Sequence, residues 1–236
     1  MQSPFANMPP VVKNLIIINV ICFLPSLFYS HGFVGNSDPV AEHFGVYYFN
    51  SPLFRPWQVI THMFIHGGWV HIFFNMFVLF SFGPAVEYIM DSRRFLAFYF
   101  ICGLGSIAMQ MFVQAIEVHA VTGGITIPLN YANDPAIIAK LQAIYYVPMV
   151  GASGAIFGVM IAFGMLYPNV ELMILFVPVP VKAKYIIPVL VLYELFLGVG
   201  QFGGDDVAHF AHLGGALLGF ILVKAWHIQR PKDFRS

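Results

Sequence analysis

Charge is what this chain has least of: only 9% of its 236 residues are Asp, Glu, Lys or Arg, against roughly 25% in an ordinary soluble domain. A body exposed to water on all sides cannot be surfaced from so little. The 59% hydrophobic content and mean hydropathy of +0.78 point the same way, to an integral membrane protein. The formal net charge is zero, so the basic excess that a nucleic-acid surface needs is missing. Cysteine is nearly absent. Cys22 and Cys102 both fall in apolar runs, which excludes a disulfide framework or a zinc ribbon and makes them core residues. Alternating, period-2 apolar runs are lacking too, so a β-barrel is not expected. The first apolar run is interrupted by Pro25 and has no small-residue cleavage site, so it reads as a retained helix rather than a signal peptide. No soluble domain, internal repeat or low-complexity segment is evident.

What is present is a series of apolar runs approaching the ~20 residues that span a bilayer as a helix. Six are expected, at about 15–30, 70–90, 95–115, 150–167, 185–200 and 207–226. The fold class is therefore all-α, a polytopic six-helix bundle, with residues 1–14 and 227–236 as short tails flanking a core of 15–226. Placing the N-terminus in the cytoplasm assigns Lys13, Arg93, Arg94, Lys182, Lys184, Lys224, Arg230, Lys232 and Arg235 to the inside. Only Arg55 and Lys140 fall outside. Under the positive-inside rule this fixes both termini as cytoplasmic.

The external connection 31–69 is long and rich in aromatics, among them Tyr47, Tyr48, Phe54 and Trp57, and is expected to lie partly in the interface. The external connection 117–149 carries the turn residues Gly123, Gly124, Asn130 and Asn133, and its role is not legible. In the inner link 168–184, prolines preclude a continuous helix, and Lys182 and Lys184 suit the inner interface.

Polar side chains inside spans are functional candidates because burying them in lipid is costly. His71 and Asn75 share one face of the second span at i, i+4. Ser153 starts the fourth, within Gly151-Ala152-Ser153-Gly154, and His212 lies near the start of the sixth. Spans two, four and six all run inward, so these groups sit at similar depth in the outer leaflet. Gly154 and Gly158 on span four, with Ala211, Gly215 and Gly219 on span six, form small-residue faces that permit close approach of backbones. Ser153 and His212 could then come within hydrogen-bond reach, as nucleophile activation requires. The plainer alternative makes Ser153 a packing residue and leaves His212 bonded to a carbonyl. No carboxylate lies near His212 on span four or six, and Asp205 and Asp206 read as solvated loop acids.

Together, His71-x-x-x-Asn75, Gly151-Ala152-Ser153-Gly154 and Ala211-His212-x-x-Gly215-x-x-x-Gly219 resemble the rhomboid intramembrane serine proteases, over about residues 10–228. The resemblance implies a Ser153 nucleophile, a His212 general base and an oxyanion hole of His71, Asn75 and the Ser153 N–H. It implies that Phe157 packs on the imidazole, that His62 and His66 serve structural hydrogen bonding, and that Glu87, in Gly83-x-x-x-Glu87, partners an adjacent backbone. The fifth span would move aside for substrate, under a lid at 201–206 containing Gly203 and Gly204. Trp57-Gln58 departs from the family's frequent Trp-Arg, which puts the anchoring of the first loop in question. The implied activity is cleavage of transmembrane segments of single-span or other membrane proteins in a bacterial plasma membrane, with the lipid bilayer as the other partner and no cofactor, metal or nucleic acid. Two other readings are a catalytically silent rhomboid-like binder of membrane helices and a metal site on His62, His66 and His71.

Overall fold

The computed structural model describes residues 8–30, 38–126, 134–174, 177–200 and 208–230. The expected lid at 201–206, Asp205, Asp206, Asn130, Asn133, Lys232 and Arg235 lie outside them.

Helices dominate. They comprise α1 (Pro10–Ser30), α2 (Pro39–Phe44), α3 (Gln58–Thr61) followed by a 3-10 turn (His62–Phe64), α4 (Trp69–Met90) and α5 (Ser92–Thr122). After these come α6 (Pro135–Tyr146), α7 (Ser153–Leu166), α8 (Ala183–Gly200) and α9 (His209–Ala225). Four helices, α1, α4, α5 and α8, are long and apolar enough to cross a membrane, while α7 and α9 are shorter apolar helices. Each expected span thus has a helix.

The boundaries differ from those expected, for identifiable reasons. The first helix begins at Pro10, not near 15, because proline is well tolerated in a first helical turn and Glu87 accepts the backbone N–H groups of Val11 and Val12 at 3.1 and 2.8 Å. α5 starts where Asp91 accepts the N–H groups of Arg93 and Arg94. It runs to Thr122, past the expected end near 115, and stops at Gly123, whose φ of 74° is left-handed. α9 begins at His209 instead of 207. The chain is also not purely helical. The inner link forms an antiparallel hairpin of β1 (Glu171–Ile174) and β2 (Val177–Lys182), with Glu171 opposite Lys182. Prolines at 178 and 180 are compatible with a strand that has only one neighbour.

The main core joins α1, α4, α5 and α7 through Val12, Leu79, Val86, Phe95, Phe98, Tyr99 and Val159, all fully buried. A second, smaller core gives the 117–149 connection a role: Tyr48 of the first loop packs with Val118, Leu141, Ile144 and Tyr145. Ser51 donates its hydroxyl to the Tyr145 carbonyl at 2.6 Å, and Val46 and Met149 exchange two backbone bonds. The two long connections therefore brace each other immediately before the Gly151 stretch.

Candidate active site

Ser153 opens α7, where the first backbone N–H groups have no partner within the helix. The approach is fixed by Gly151, whose N–H donates to the His62 carbonyl at 2.9 Å. Its φ of 130° is unsuited to an L side chain. A Cβ there would also stand 2.8 Å from His71 Nε2 and 3.4 Å from Ser153 Oγ. The imidazole of His71 and the serine hydroxyl thus flank a bare stretch of backbone. One turn along α4, Asn75 is buried, and its amide nitrogen has no hydrogen-bond partner among the described residues.

Opposite stands α9. His212 Nε2 lies 2.8 Å from Ser153 Oγ, and the Phe157 ring stacks on the imidazole at 4.4 Å between centroids and 8° between planes. Glycine makes this approach possible. A Cβ on Gly215 would overlap the Gly154 carbonyl, and one on Gly219 would stand 2.7 Å from Gly158 Cα and O. A Cβ on Gly154 would collide with the Ser106 side chain of α5, so α7 is held on two sides by helices that touch its backbone. Ser153 and His212 meet because their helices have almost nothing between them.

Two further side chains complete the cluster, and neither was anticipated. Glu194 Oε2 lies 2.8 Å from His212 Nδ1 and 2.7 Å from His209 Nδ1. As expected, spans four and six, α7 and α9, bring no carboxylate to His212; the acid comes instead from α8. The signal was in the sequence, since Glu194 is the lone Asp, Glu, Lys or Arg of the expected span 185–200 and such residues are functional candidates. A search confined to spans four and six passes over it.

The first loop braces the site through the His62 carbonyl, which accepts the Gly151 N–H. With Gln58 in place of an arginine after Trp57, the loop is still anchored: buried Gln58 accepts the Arg55 N–H at 2.8 Å and donates to the His43 and Leu53 carbonyls at 3.3 Å, while the Arg55 guanidinium donates to the Pro52 and Phe54 carbonyls. His62 lies 3.0 Å, by its Nδ1, from the Gln58 carbonyl, and burial pushes its pKa down to about 4. His66 is fully buried, with its ring edge-on to His71 at 5.1 Å; burial first, and the nearby His71 second, bring its pKa down to about 3. Glu87 accepts the Ser92 hydroxyl at 2.6 Å in addition to the two N–H groups of α1, far from Ser153 on the opposite end of α4. His62, His66 and His71 are not gathered as ligands. The one set of three metal-ligating side chains brought together among the described residues is Glu194, His209 and His212.

Comparison with known proteins bears on this arrangement. The family model described as the Rhomboid domain matches residues 53–228. The provisionally named rhomboid protease YdcA of Bacillus subtilis is 28% identical over 221 residues, covering 92% of this chain and 89% of that protein. Rhomboid protein 1, mitochondrial, of Saccharomyces cerevisiae is 24% identical over 176 residues, and rhomboid protease GluP of Bacillus subtilis 27% over 183. Each of these matches covers 75% of this chain but only 43% and 27% of the respective relative. With a family match extending over most of its length and apolar helices throughout, this integral membrane protein belongs to the rhomboid family.

Proposed function

We propose that the chain is an intramembrane serine endopeptidase that cuts transmembrane segments of other membrane proteins near the outer leaflet. The observation that carries this reading is the 2.8 Å contact between Ser153 Oγ and His212 Nε2, the geometry in which an imidazole can take a serine proton. His212 takes the hydroxyl proton as Oγ attacks the scissile carbonyl. The oxygen that becomes negative is met by the Asn75 amide, the Ser153 N–H at the positive end of α7, and His71. His212 then gives the proton to the departing amine. Water hydrolyses the acyl-enzyme by the same route in reverse. Phe157 keeps the imidazole plane fixed while protons move.

The membrane arrangement follows from helix lengths. At ~1.5 Å per residue the 14-residue α7 is about 21 Å long, short of a ~30 Å hydrocarbon core. With its inner end at the interface, Ser153 lies roughly 9 Å below the outer one. Six crossings, by α1, α4, α5, α7, α8 and α9, put both termini on one side, which the nine-to-two Lys and Arg asymmetry makes the cytoplasm. The Bacillus subtilis relatives support a bacterial plasma membrane. A substrate helix must unwind to present its carbonyl, so small and helix-breaking residues near the outer face are the expected recognition feature.

The test is incubation of purified chain in detergent or liposomes with a single-span substrate carrying such residues. Native protein cleaves it, and Ser153→Ala and His212→Ala do not. Cleavage that survives Ser153→Ala removes the serine mechanism. Uncut substrate that copurifies with the native chain makes it a silent helix binder instead.

A further inference from the structure

α8 is the least buried of the long apolar helices, and Tyr193, Leu195 and Phe196 around Glu194 are largely exposed toward the lipid side. Of residues 193–196, Glu194 is the one that turns inward, its side chain 14% exposed. A carboxylate in such a helix is strongly disfavoured unless its charge is matched by donors. Its donors are two imidazoles bound to the same oxygen, His212 at 2.8 Å and His209 at 2.7 Å.

The hydrogen-bond count on His212 is decisive. Its Nε2 faces the Ser153 hydroxyl and its Nδ1 faces a carboxylate oxygen. A carboxylate only accepts, so Nδ1 carries the proton and Nε2 presents its lone pair to Ser153. We propose that Glu194 is the positioning residue of this site, holding His212 in the tautomer and orientation that let it take the serine proton, with His209 fixing the carboxylate from the other side. When His212 gains the serine proton, the imidazolium forms against a negative oxygen already in place. This inference rests on the serine-protease reading, and deepens it from two residues to a Ser153–His212–Glu194 relay of hydrogen bonds in which Glu194 itself exchanges no proton.

The experiment compares the full chain with Glu194→Gln and Glu194→Asp by three measurements: cleavage kinetics on a single-span substrate, the rate of Ser153 labelling by a fluorophosphonate, and the ¹⁵N imidazole spectrum. In Glu194→Gln, kcat and the labelling rate fall roughly 10- to 100-fold, the loss expected for one charge-assisted hydrogen bond. KM stays within about twofold, since substrate does not touch the carboxylate. Glu194→Asp, which keeps the charge on a shorter arm, recovers part of the loss. The native His212 signal shows Nδ1 protonated, and Glu194→Gln shows a mixture of tautomers. Labelling and kcat of Glu194→Gln within about twofold of native would overturn the proposal, as would an Nε2-protonated His212 in the native chain. The second of these needs no variant to fold. A native chain that neither cuts nor labels sinks the protease reading, and the native tautomer then decides the Glu194 pairing on its own.

Discussion

Gly215→Ala probes how closely the two halves of the site must approach. The new Cβ would overlap the Gly154 carbonyl, 2.6 Å from its carbon, where ordinary carbon–carbon contact is ~3.5 Å. Both partners are helix backbone, so no side chain can rotate away, and α7 and α9 must part locally by at least about 0.9 Å, since the nearer carbonyl oxygen has also to be cleared. Gly154 adjoins Ser153 and Gly215 is one turn from His212, so the opening is applied almost at the contact itself. Transmitted unreduced, it stretches the 2.8 Å Oγ–Nε2 separation to at least about 3.7 Å, beyond a hydrogen bond. A displacement of this size is expected to lower kcat by about 100-fold, with an overpacking cost of about 1–3 kcal/mol. Leu217→Ala, on an exposed face of the same helix, is the control and keeps native activity. The assay pairs cleavage of a single-span substrate with fluorophosphonate labelling and thermal unfolding. Gly215→Ala protein with native stability and kcat within about twofold of native would refute the idea that glycine contact sets the geometry.

Asn75→Ala should reduce kcat by about 100- to 1000-fold, as loss of an oxyanion donor does, while changing the melting temperature little, because the amide nitrogen has no partner to lose; kcat within tenfold of native excludes Asn75 from the oxyanion site. Acid should destabilise the fold through His62 and His66, which stay neutral when folded down to about pH 4 and 3 but take protons when unfolded below ~6.5. Their contribution is whole above about pH 6.5 and lost as pH falls, about 2 kcal/mol each at pH 5; equal resistance to denaturing detergent at pH 7.5 and 5 would contradict this. Glu87→Gln should lower stability by about 2–4 kcal/mol, since one amide oxygen cannot hold Val11, Val12 and Ser92 together, yet leave kcat of the folded fraction unchanged. A chelator should not slow cleavage, because both ring nitrogens of His212 are engaged in hydrogen bonds, Nδ1 to Glu194 and Nε2 to Ser153; inhibition by chelation would instead assign the Glu194, His209 and His212 set to a metal.

The helices were legible because a membrane span needs a long apolar run, and such a run is visible without knowing its neighbours. Their ends were less so. α1 reaches back to Pro10 because a carboxylate 75 residues away caps it, and α5 continues to Thr122 because Gly123 stops it there. The hairpin of the inner link could not be foreseen from prolines that argue only against a helix. Ser153, His212, His71 and Asn75 could be picked out as polar residues at one depth; Ser153 Oγ lies 2.8 Å from His212 Nε2, and His71 and Ser153 flank Gly151. Glu194 was equally visible as a charge in an apolar run. Its partners were not, because they depend on how α8 leans on α9, where Gly198 lets the His209 side chain approach.

Burying this many polar groups in an apolar bundle requires that each find a partner. Ser153 has His212, His212 has Glu194, Glu194 has His209 as well, and Gly151 N–H has the His62 carbonyl. Not every buried group is matched: both ring nitrogens of His66 and the Asn75 amide nitrogen lack a hydrogen-bond partner among the described residues, and the Asn75 amide is an open donor one turn along α4 from His71. A donor in that state costs about 1–3 kcal/mol, which is tolerable where the missing acceptor arrives with the substrate. On the serine-protease reading, this open donor places the carbonyl oxygen of the scissile bond at the Asn75 amide, where the oxygen accepts the hydrogen bond that the folded chain leaves unmade.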